Sequence, residues 1–295
     1  MKQKIFLTGS TGFIGHNIVE KLGDKYIFFS PNRQELDLLD ECAVYDYLKN
    51  NSVDVVIHAA NVGGKRNLSH TDNILQINLK MFFNLIKAKN FYKKIIVLGS
   101  GAEYDKKKEI KNVVEDDFDK IIPTDSYGFY KYIISKFVQN TDYIINLRLF
   151  GVYGKYEDYK VRFISNVICK VLLDIPITIN QNVYFDYLHI NDFCSILDYF
   201  IKHDKLQYKI YNVGRGEKID LVTIAKKILS ILGKENTPII IKKDGLNLEY
   251  TANVERLKKE MKDFKYTDFD ESLVELIEYY KTIIHTLDKK DFLYE

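Results

Sequence analysis

Five short apolar runs, each separated from the next by a helix-length segment, fill the first half of this 295-residue chain. Runs that are apolar on both faces of a strand and alternate with helices are typical of an α/β fold with a parallel, doubly wound sheet. Such a sheet has right-handed crossovers and places its ligand crevice at the carboxyl ends of its strands. The predicted strands cover 5–7, 26–29, 53–57, 95–98 and 144–147, and the predicted helices cover about 12–22, 40–50, 72–90 and 126–140.

Beyond about residue 155 this rhythm changes, and the sequence predicts a second, smaller lobe. A helix over 161–173 leads to Pro176 and a polar turn. No internal repeat or low-complexity linker separates the lobe from the preceding segment. The further predicted elements are a strand over 184–190, a helix capped by Asn191 and Asp192, a strand over 209–213, and a helix from the N-cap Asp220 through Leu232.

The charge balance argues against a polyanionic partner. Lys and Arg number 43 against 41 Asp and Glu, a formal net charge of +2, so we expect neither nucleic acid nor a membrane surface as partner. The three cysteines, Cys42, Cys169 and Cys194, show no C-x-x-C spacing, which predicts a reduced compartment and no metal site. The sequence also begins without a signal peptide and has no run long enough for a membrane span. These patterns predict a cytoplasmic location.

A glycine-rich loop follows the first predicted strand and opens the first predicted helix. In it Gly9 permits the tight turn, Gly12 lets the backbone approach a pyrophosphate, and Gly15 lets the helix pack on the strand. The helix N-terminus adds amide donors and partial positive charge for phosphates. The spacing is G-x-x-G-x-x-G, and a turn that uses glycines for geometry alone is the alternative. The residues predicted to contact a dinucleotide here are Gly9, Thr11, Gly12, Phe13, Ile14 and Gly15.

The segment after the second predicted strand favours NADP over NAD. An acidic residue there would accept from the ribose 2′-hydroxyl of NAD and repel the 2′-phosphate of NADP. The chain instead has Asn32-Arg33 and no acidic residue before position 35. Arg33 can pair with a phosphate through two parallel hydrogen bonds, so we expect NADP(H) as cofactor. Asp37 and Leu38 lie where they could reach the adenine, although a helix-start carboxylate is an equal alternative for Asp37.

Tyr127, Lys131 and Ser100 form a candidate proton-transfer group. Hydride transfer to a carbonyl carbon builds negative charge on the oxygen, which needs a proton or a hydrogen bond. Tyr127 and Lys131 are four residues apart and therefore share a helix face, where a lysine can lower the pKa of a tyrosine. Ser100, at the end of the fourth predicted strand, can donate to the same oxygen. A surface pair of Tyr127 and Lys131 is the alternative.

These motifs resemble the extended short-chain dehydrogenase/reductases that act on nucleotide sugars, over nearly the whole chain. Within that family the resemblance is strongest to GDP-fucose synthase and related nucleotide-sugar reductases. The resemblance implies that Arg33 contacts the 2′-phosphate, that Ala59 and Ala60 line the cofactor, that Asn78 lies on the helix behind the site, and that Lys131 also contacts the cofactor ribose. The resembling segments are 32–40, 58–64, 98–104, 148–154 and 187–192.

Departures from the family pattern narrow the expected reaction. Ala102 stands where GDP-fucose synthase has the cysteine that it uses for epimerisation, and Glu103 is one position later than the acid of the dehydratases. With epimerisation and dehydration removed, the expected reaction is plain hydride transfer at a ring carbon, most often C4. Phe185 stands near the position at which relatives have an arginine that binds the diphosphate. Arg162 or Arg215 would take over that role, unless they are solvated surface residues. The expected substrate-side residues are Gly101, Ala102, Phe150, Gly151 (the usual place of Asn), Arg162 and Arg215.

The sequence and the resemblance together predict an NADPH-dependent reductase of a nucleotide-linked 4-keto-6-deoxy sugar, GDP-linked hexose or heptose, serving surface polysaccharide synthesis in a bacterium. A 4-epimerase with tightly bound NAD and a non-catalytic NADP-binding regulator are the alternatives. A homodimer through the helices 72–90 and 126–140 is a family expectation, and the alternative is that their apolar and aromatic faces belong to the core. We expect a Rossmann domain from 1–155 plus about 185–213, and a sugar-nucleotide lobe from about 156–184 and 214–295.

Overall fold

A computed structural model describes residues 2–63 and 73–292. Its strands are β1 Lys4–Thr8, β2 Ile27–Phe29, β3 Val55–His58, β4 Lys94–Ser100, β5 Ile110–Val113, β6 Ile144–Leu149, β7 Gly151–Tyr153, β8 Ile177–Asn182, β9 Tyr184–His189, β10 Ile210–Val213, β11 Lys218–Asp220, β12 Ile239–Leu246 and β13 Tyr250–Ala252. Its α-helices are α1 Phe13–Leu22, α2 Glu41–Asn51, α3 Ile74–Lys87, α4 Ser126–Gln139, α5 Phe163–Leu172, α6 Ile190–Lys202, α7 Leu221–Leu232, α8 Glu255–Glu260 and α9 Phe269–Ile283.

Six parallel strands form the main sheet, in the order β10-β6-β4-β3-β1-β2. Helices α1 and α6 cover one face, and α2, α3 and α4 pack mainly on the other. The strands read as unbroken apolar runs because both faces are buried, as in Val55–His58. The predicted doubly wound α/β sheet is therefore confirmed. The chain places β2 on one side of β1 and then β3 and β4 on the other, so the strand order reverses at β1. Strands β1 and β4 flank β3.

The rest of the chain forms smaller sheets and its own core. One sheet has the order β11-β9-β13-β5, with β7 paired to β9, and β8 pairs with β12. Helices α5, α7 and α9 bury their apolar faces together in this second core. Of the returning segment 185–213, α6 and β10 rejoin the main sheet, whereas β9 belongs to the smaller one.

Two predicted caps have different outcomes. Asp220 caps α7 as predicted, since its carboxylate accepts from the amide of Thr223 at 3.1 Å. The prediction that Asn191 and Asp192 cap α6 is wrong: the helix begins at Ile190, with His189 at the N-cap. Asp192 instead accepts hydrogen bonds from Thr267, and this tertiary contact replaces the local cap.

Within the described ranges, no helix has the length and apolar character that crossing a bilayer requires. The same residues contain no group of three or more His, Cys, Asp or Glu side chains arranged to hold a metal ion. Cys42 is exposed, and Cys169 and Cys194 are buried as free thiols.

Candidate active site

The glycine-rich loop turns tightly between β1 and α1. Gly9 has φ +74°, and a Cβ there would lie 2.7 Å from the amide nitrogen of Ala60. A Cβ on Gly15 would lie 2.7 Å from the Cα of Ser10, so the start of α1 packs against the turn. At Gly12 a Cβ would meet only the Gly9 carbonyl oxygen, at 3.4 Å. The loop thus needs Gly9 and Gly15 for its own packing, whereas the space over Gly12 is open toward a ligand.

The N-terminus of α1 can bind an anion. The helix begins at Phe13 with Gly12 at the N-cap, and no side chain caps it. The first-turn amides, including those of Ile14 and Gly15, therefore point outward without a capping acceptor. Thr11 is exposed beside them. This cradle fits a dinucleotide pyrophosphate, because it combines amide donors with a position that no side chain fills.

The loop after β3 is held beside the glycine turn by buried polar groups. The Thr8 hydroxyl hydrogen-bonds with Nδ1 of His58 at 2.9 Å and accepts from the amide of Ala60 at 3.1 Å. Burial, with a smaller contribution from the charge of Lys131, lowers the pKa of His58 to about 3. His58 is therefore neutral and structural. Ala59 and Ala60 are half-buried at this edge of the sheet.

Asn78 fixes the same loop from behind. Its amide group accepts from the Val62 N–H at 2.9 Å and donates to the Val62 carbonyl at 2.8 Å. It also donates to the Ile74 carbonyl at 2.7 Å within α3. Asn78 thus lies on the helix behind the site, as the resemblance implies. The end of the resembling segment 58–64 lies outside the described residues.

The segment after β2 exposes its arginine. The Asn32 side chain closes a turn, because it accepts from the amides of Gln34 and Glu35 at 2.8 and 3.2 Å. Arg33 is exposed on this turn and forms no hydrogen bond or ion pair with the described residues. Its guanidinium is thus available to a phosphate.

The helix-start interpretation of Asp37 is wrong. Asp37 accepts from the amide of Leu39 at 3.0 Å within a turn. The residue that caps α2 is Asp40, which accepts from Ala43 at 3.0 Å. The carboxylate of Asp37 remains exposed, and the backbone carbonyl of Leu38 accepts from Asn84 at 2.9 Å.

Ser100 lies where β4 ends and a 3₁₀ turn, Gly101–Tyr104, begins. Its hydroxyl accepts from the amide of Ala102 at 3.1 Å, and its own amide donates to the Glu103 carboxylate at 3.1 Å. This reciprocal capping box fixes the serine at the carboxyl edge of the sheet.

Glu103 is withdrawn into the interior beneath the serine. Its carboxylate is fully buried and pairs with Arg148 Nε at 2.5 Å. Arg148 also donates to the hydroxyls of Tyr104 and Ser135 at 2.7 and 2.8 Å. A carboxylate held in this ion pair is not a free acid for the substrate. Ala102 is fully buried as well and carries no ionisable group.

Tyr127 and Lys131 lie one turn apart on α4, whose N-terminus Asp125 caps. The Lys131 ammonium lies 6.0 Å from the centroid of the Tyr127 ring and donates to the Leu98 carbonyl. Burial lowers the pKa of Lys131 to about 8. Ser100 lies near enough to Tyr127 to lower the pKa of its phenol, and Leu98 is two residues before Ser100 on β4, so the three predicted residues are brought to the same edge of the sheet.

The expectation that Lys131 lowers the pKa of Tyr127 is wrong for this structure. Burial raises the pKa of Tyr127, and this effect outweighs the lowering by the nearby Ser100 side chain and by the charge of Arg162. The reason is that Lys131 turns to a backbone carbonyl, while burial penalises the phenolate. Tyr127 is therefore a neutral phenol at pH 7, the form that donates a proton.

The two candidate diphosphate ligands differ in their surroundings. Arg162 is exposed at the N-cap of α5, and its charge lowers the pKa of Tyr127. Arg215 is largely buried and donates to Glu217 at 2.9 Å and to the Thr267 carbonyl at 2.6 Å. The solvated-surface alternative is therefore wrong for Arg215.

Gly151 has no room for the asparagine side chain of the family. A Cβ there would lie 2.6 Å from the Asp186 carbonyl and 3.1 Å from the Tyr187 ring. Phe150 is buried next to it, and Phe185 packs against Tyr187 with centroids 5.6 Å apart. Aromatic rings thus line this part of the wall.

Sequence reasoning missed one site residue, Tyr250. Its phenol reaches the turn after Ser100 from β13, and its ring packs against Phe150 with centroids 5.1 Å apart. A Cβ on Gly101 would lie 2.5 Å from the Tyr250 hydroxyl oxygen. No local pattern marks this residue, because β13 is three residues long and lies 150 positions from Ser100.

A polar cavity of about 310 Å³ lies along α5 in the second lobe. Lys170 is buried there and donates to the Thr178 hydroxyl at 3.4 Å. Burial and the nearby charge of Lys242 lower the pKa of Lys170. The cavity is lined by Lys160, Asn166, Lys170, Thr178, Asn180, Lys242, Asp291 and Phe292.

Comparison with known proteins identifies relatives of this architecture. The sequence profile described as the NAD dependent epimerase/dehydratase family matches residues 5–214. GDP-L-colitose synthase of Yersinia pseudotuberculosis is 27% identical over 258 residues, which cover 79% of this chain and 83% of that protein.

Solved structures share the fold over nearly the whole chain. UDP-glucose 4-epimerase of Thermotoga maritima superposes with a TM-score of 0.81 at 18% identity, covering 95% of this chain and 99% of that one. GDP-mannoheptose C4 reductase of Campylobacter jejuni, solved with NADP bound, superposes with a TM-score of 0.79 at 19% identity, covering 95% and 98%. At these identities the likeness establishes the fold.

Proposed function

Because this chain belongs to the NAD dependent epimerase/dehydratase family, we propose that it is an NADPH-dependent reductase of a nucleotide-linked sugar. The proposed substrate is a nucleoside diphosphate 4-keto-6-deoxy sugar, and a GDP-linked hexose or heptose is the first candidate. The observation that carries the proposal is the convergence of Ser100, Tyr127 and Lys131 at the carboxyl edge of the sheet. The names of the Yersinia and Campylobacter proteins, a GDP-L-colitose synthase and a GDP-mannoheptose C4 reductase, support a GDP-linked sugar.

The residues divide the work of carbonyl reduction. The hydride is what NADPH supplies when bound over the glycine loop. Tyr127, protonated at neutral pH, donates a proton to the carbonyl oxygen, and Ser100 donates a hydrogen bond to that oxygen. Lys131, held by the Leu98 carbonyl, adds positive charge beside the developing oxyanion while it is protonated. We propose that it also binds the ribose of the cofactor.

The reaction stops at reduction because the turn that follows Ser100, Gly101–Tyr104, presents no second acid or base to the substrate. Ala102 cannot move a proton, and Glu103 is neutralised by Arg148 in the interior. This supports ketone reduction without epimerisation at C3 or C5. It also speaks against loss of water, which requires an acid that can reach the sugar.

NADP is the proposed cofactor because of the turn after β2. Arg33 is exposed and unpaired among the described residues, and no acid follows the strand directly. The cofactor-side set is proposed to be Gly9, Thr11, Gly12, Phe13, Ile14, Gly15, Asn32, Arg33, Asp37, Leu38, Ala59, Ala60, Asn78 and Lys131.

The nucleotide is proposed to lie along α5. Arg162 is the N-cap of this helix, and Lys170 is eight residues further on, about 12 Å at 1.5 Å per residue. The lysines of the 310 Å³ cavity supply the charge that a diphosphate requires. The rest of the substrate wall consists of Gly101, Ala102, Phe150 and Gly151. Arg215 would act indirectly, through its contacts with Thr267 and Glu217.

The cellular setting is part of the proposal. A cytoplasmic enzyme of this kind serves surface polysaccharide synthesis in a bacterium. A homodimer would form through α3 and α4, where half-buried apolar side chains such as Leu79, Phe83 and Phe129 lie. Sedimentation of the purified protein would separate a dimer from a monomer of 34.6 kDa.

The test is NADPH consumption with a panel of GDP-, CDP-, dTDP- and UDP-linked 4-keto-6-deoxy sugars, with NADH alongside. We expect stoichiometric oxidation of NADPH with one member of the panel. Purified protein that retains NAD and interconverts C4 epimers would replace the proposal with the epimerase. NADPH binding without turnover on any member would favour the regulator.

A further inference from the structure

A buried polar network beneath Ser100 joins the end of β4 to helix α4. The carboxylate of Glu103 accepts from the Ser100 amide at 3.1 Å and pairs with Nε of Arg148, on β6, at 2.5 Å. The guanidinium of Arg148 donates to the Ser135 hydroxyl at 2.8 Å. Ser135 lies on α4, one turn after Lys131. The ion pair therefore connects the serine to the helix that carries the other two residues of the proposed catalytic group.

The surroundings of this ion pair are shaped to hold it in one geometry. The side chains of Glu103 and Arg148 are both 0% exposed. A Cβ on Gly99 would lie 2.5 Å from Oε1 of Glu103, so any side chain at that position would collide with the carboxylate. On the other side, Cζ of Arg148 lies 4.9 and 4.3 Å from the ring centroids of Tyr104 and Phe118.

Helix α4 also packs closely against the turn that Glu103 belongs to, Gly101–Tyr104. A Cβ on Gly128 would lie 2.8 Å from the Ala102 carbonyl oxygen, and Gly128 directly follows Tyr127. The helix is thus held to the serine end of β4 at two places, at Gly128 by packing and at Ser135 by hydrogen bonding.

Stability alone gives little reason for an ion pair in this position. Taking both charges out of water costs free energy that their attraction repays only in part, and apolar replacements of similar volume are often as stable. Apolar side chains cannot, however, accept from the Ser100 amide. The serine hydroxyl accepts from the Ala102 amide at 3.1 Å, so the Glu103 carboxylate supplies the other half of the capping box that fixes the serine.

We propose that Glu103 is a positioning residue for carbonyl reduction. Its carboxylate, oriented by Arg148, fixes the Ser100 amide and thereby aims the serine hydroxyl at the carbonyl oxygen that Tyr127 protonates. The inference rests on the proposed function for the identity of the reaction, but the network exists without substrate.

A first double variant, Glu103→Leu/Arg148→Met, removes the ion pair without leaving a buried charge unpaired. The Ser135 hydroxyl keeps the hydrogen bond from Asn146 at 3.0 Å, whereas the Ser100 amide loses its acceptor. The Tm should therefore stay within a few degrees of the wild type. At 25 °C kcat should fall about 100-fold, because a displacement of about 1 Å at a reacting group can cost that much. The affinity for NADPH should stay within about twofold.

A second double variant, Glu103→Gln/Arg148→Met, restores the acceptor without the charge. The glutamine carbonyl oxygen can accept from the Ser100 amide. Its NH₂ group lies beside the Asn146 amide, whose buried Oδ1 has no partner among the described residues. We expect kcat within about tenfold of the wild type, since only the link to α4 is missing. A pair that served the fold alone would give the two double variants the same kcat.

Hydrogen exchange of the Ser100 amide gives a readout that needs no substrate. NMR of protein labelled with ¹⁵N-serine follows this amide, which is assigned by its loss in Ser100→Ala. Its exchange should be about tenfold faster or more in Glu103→Leu/Arg148→Met, the effect of losing a hydrogen bond to a charged group. It should return toward the wild-type rate in Glu103→Gln/Arg148→Met.

Tyr26→Phe is the matched control, because it removes a buried hydrogen bond to Asp198, 2.6 Å long, elsewhere in the fold. It should lower the Tm and leave both kcat and the exchange of the Ser100 amide unchanged. Wild-type kcat or unchanged exchange in Glu103→Leu/Arg148→Met, or equal losses in the two double variants, would overturn the proposal. Wild-type protein that reduces no keto sugar, while the exchange rates change as predicted, would count against the proposed function and leave Glu103 as the residue that fixes Ser100.

Discussion

At the scale of single residues, the surroundings of Tyr127 decide its protonation state. Burial raises its pKa more than Ser100 and Arg162 lower it. A phenol in a reductase must begin each turnover protonated, so this balance suits reduction more than oxidation. Lys131, with a pKa of about 8, loses its charge as the pH rises above that value.

Substituting Tyr127 by Phe should lower kcat by about two to four orders of magnitude, the usual contribution of a general acid. The affinity for NADPH should stay near the wild-type value, since the phenol acts on the substrate. Stopped-flow reduction and fluorescence titration of NADPH measure the two quantities.

Tyr130→Phe is the matched control for this substitution. Tyr130 lies one helical turn away, and its buried hydroxyl has no hydrogen-bond partner among the described residues. Its removal should leave kcat unchanged. Full activity in Tyr127→Phe would remove the tyrosine from the mechanism.

Arg33→Ala should weaken NADPH binding about 10- to 100-fold and leave NADH binding unchanged. A charge-assisted hydrogen bond to phosphate contributes about 1.5–3 kcal/mol, which corresponds to this range. Dissociation constants for both cofactors measure the effect. The NADPH affinity of Arg33→Lys should lie between those of the wild type and Arg33→Ala. Equal losses for NADPH and NADH would show that Arg33 does not read the 2′-phosphate.

At the scale of elements, the glycine loop separates packing from ligand binding. Gly15 packs against the turn, whereas a Cβ on Gly12 would touch the protein only at ordinary contact distance. The two glycines therefore serve different purposes within one loop.

This difference gives a paired test. Gly12→Ala should leave the Tm within a degree or two and weaken NADPH binding by about tenfold or more, because the methyl would occupy the pyrophosphate space. Gly15→Ala should lower the Tm by several degrees, because its Cβ would meet the backbone of the turn. Thermal unfolding and cofactor titration distinguish them. Tight NADPH binding in Gly12→Ala would place the pyrophosphate elsewhere.

Elements buried on both faces could be predicted from the sequence, and edge elements could not. The apolar runs of β1, β3, β4 and β6 follow from burial alone. Strand β12 escapes that pattern because Lys242, Lys243 and Asp244 interrupt it and its residues are largely exposed. Strand β13 is too short for any periodicity.

The candidate site was predictable where its residues are local and not where tertiary contacts bring them together. Tyr127 and Lys131 share a helix turn, and Ser100 ends a strand. The approach of the Tyr250 hydroxyl to Gly101 depends on strand pairing across about 150 positions, and the withdrawal of Glu103 depends on Arg148. No single stretch of sequence carries either signal.

At the scale of the whole molecule, one buried carboxyl limits stability near neutral pH. Glu157 lies in the second lobe and accepts from the Ser165 hydroxyl. Burial raises its pKa to about 7, although Ser165 and Arg162 oppose the shift. The folded state therefore binds more protons than the unfolded chain between about pH 4.5 and 7, so stability falls as the pH rises through that window.

Glu157→Gln should be more stable than the wild type at pH 7.5 by up to about 3 kcal/mol, because glutamine cannot ionise and can keep the hydrogen bond. The difference should shrink toward pH 4.5. Urea unfolding at both pH values measures it, with the exposed Glu235→Gln as control. A difference that is independent of pH would refute the shifted pKa.

The central claim is hydride transfer to C4 without exchange at the neighbouring carbons. The most direct test is turnover of the active keto sugar with NADPH deuterated at both C4 positions of its nicotinamide, and separately with unlabelled NADPH in D₂O, with NMR of the product. We predict one deuterium at C4 of the sugar in the first reaction and none at C3 or C5 in the second. Solvent deuterium at C3 or C5, or no deuterium at C4 from the cofactor, would contradict it.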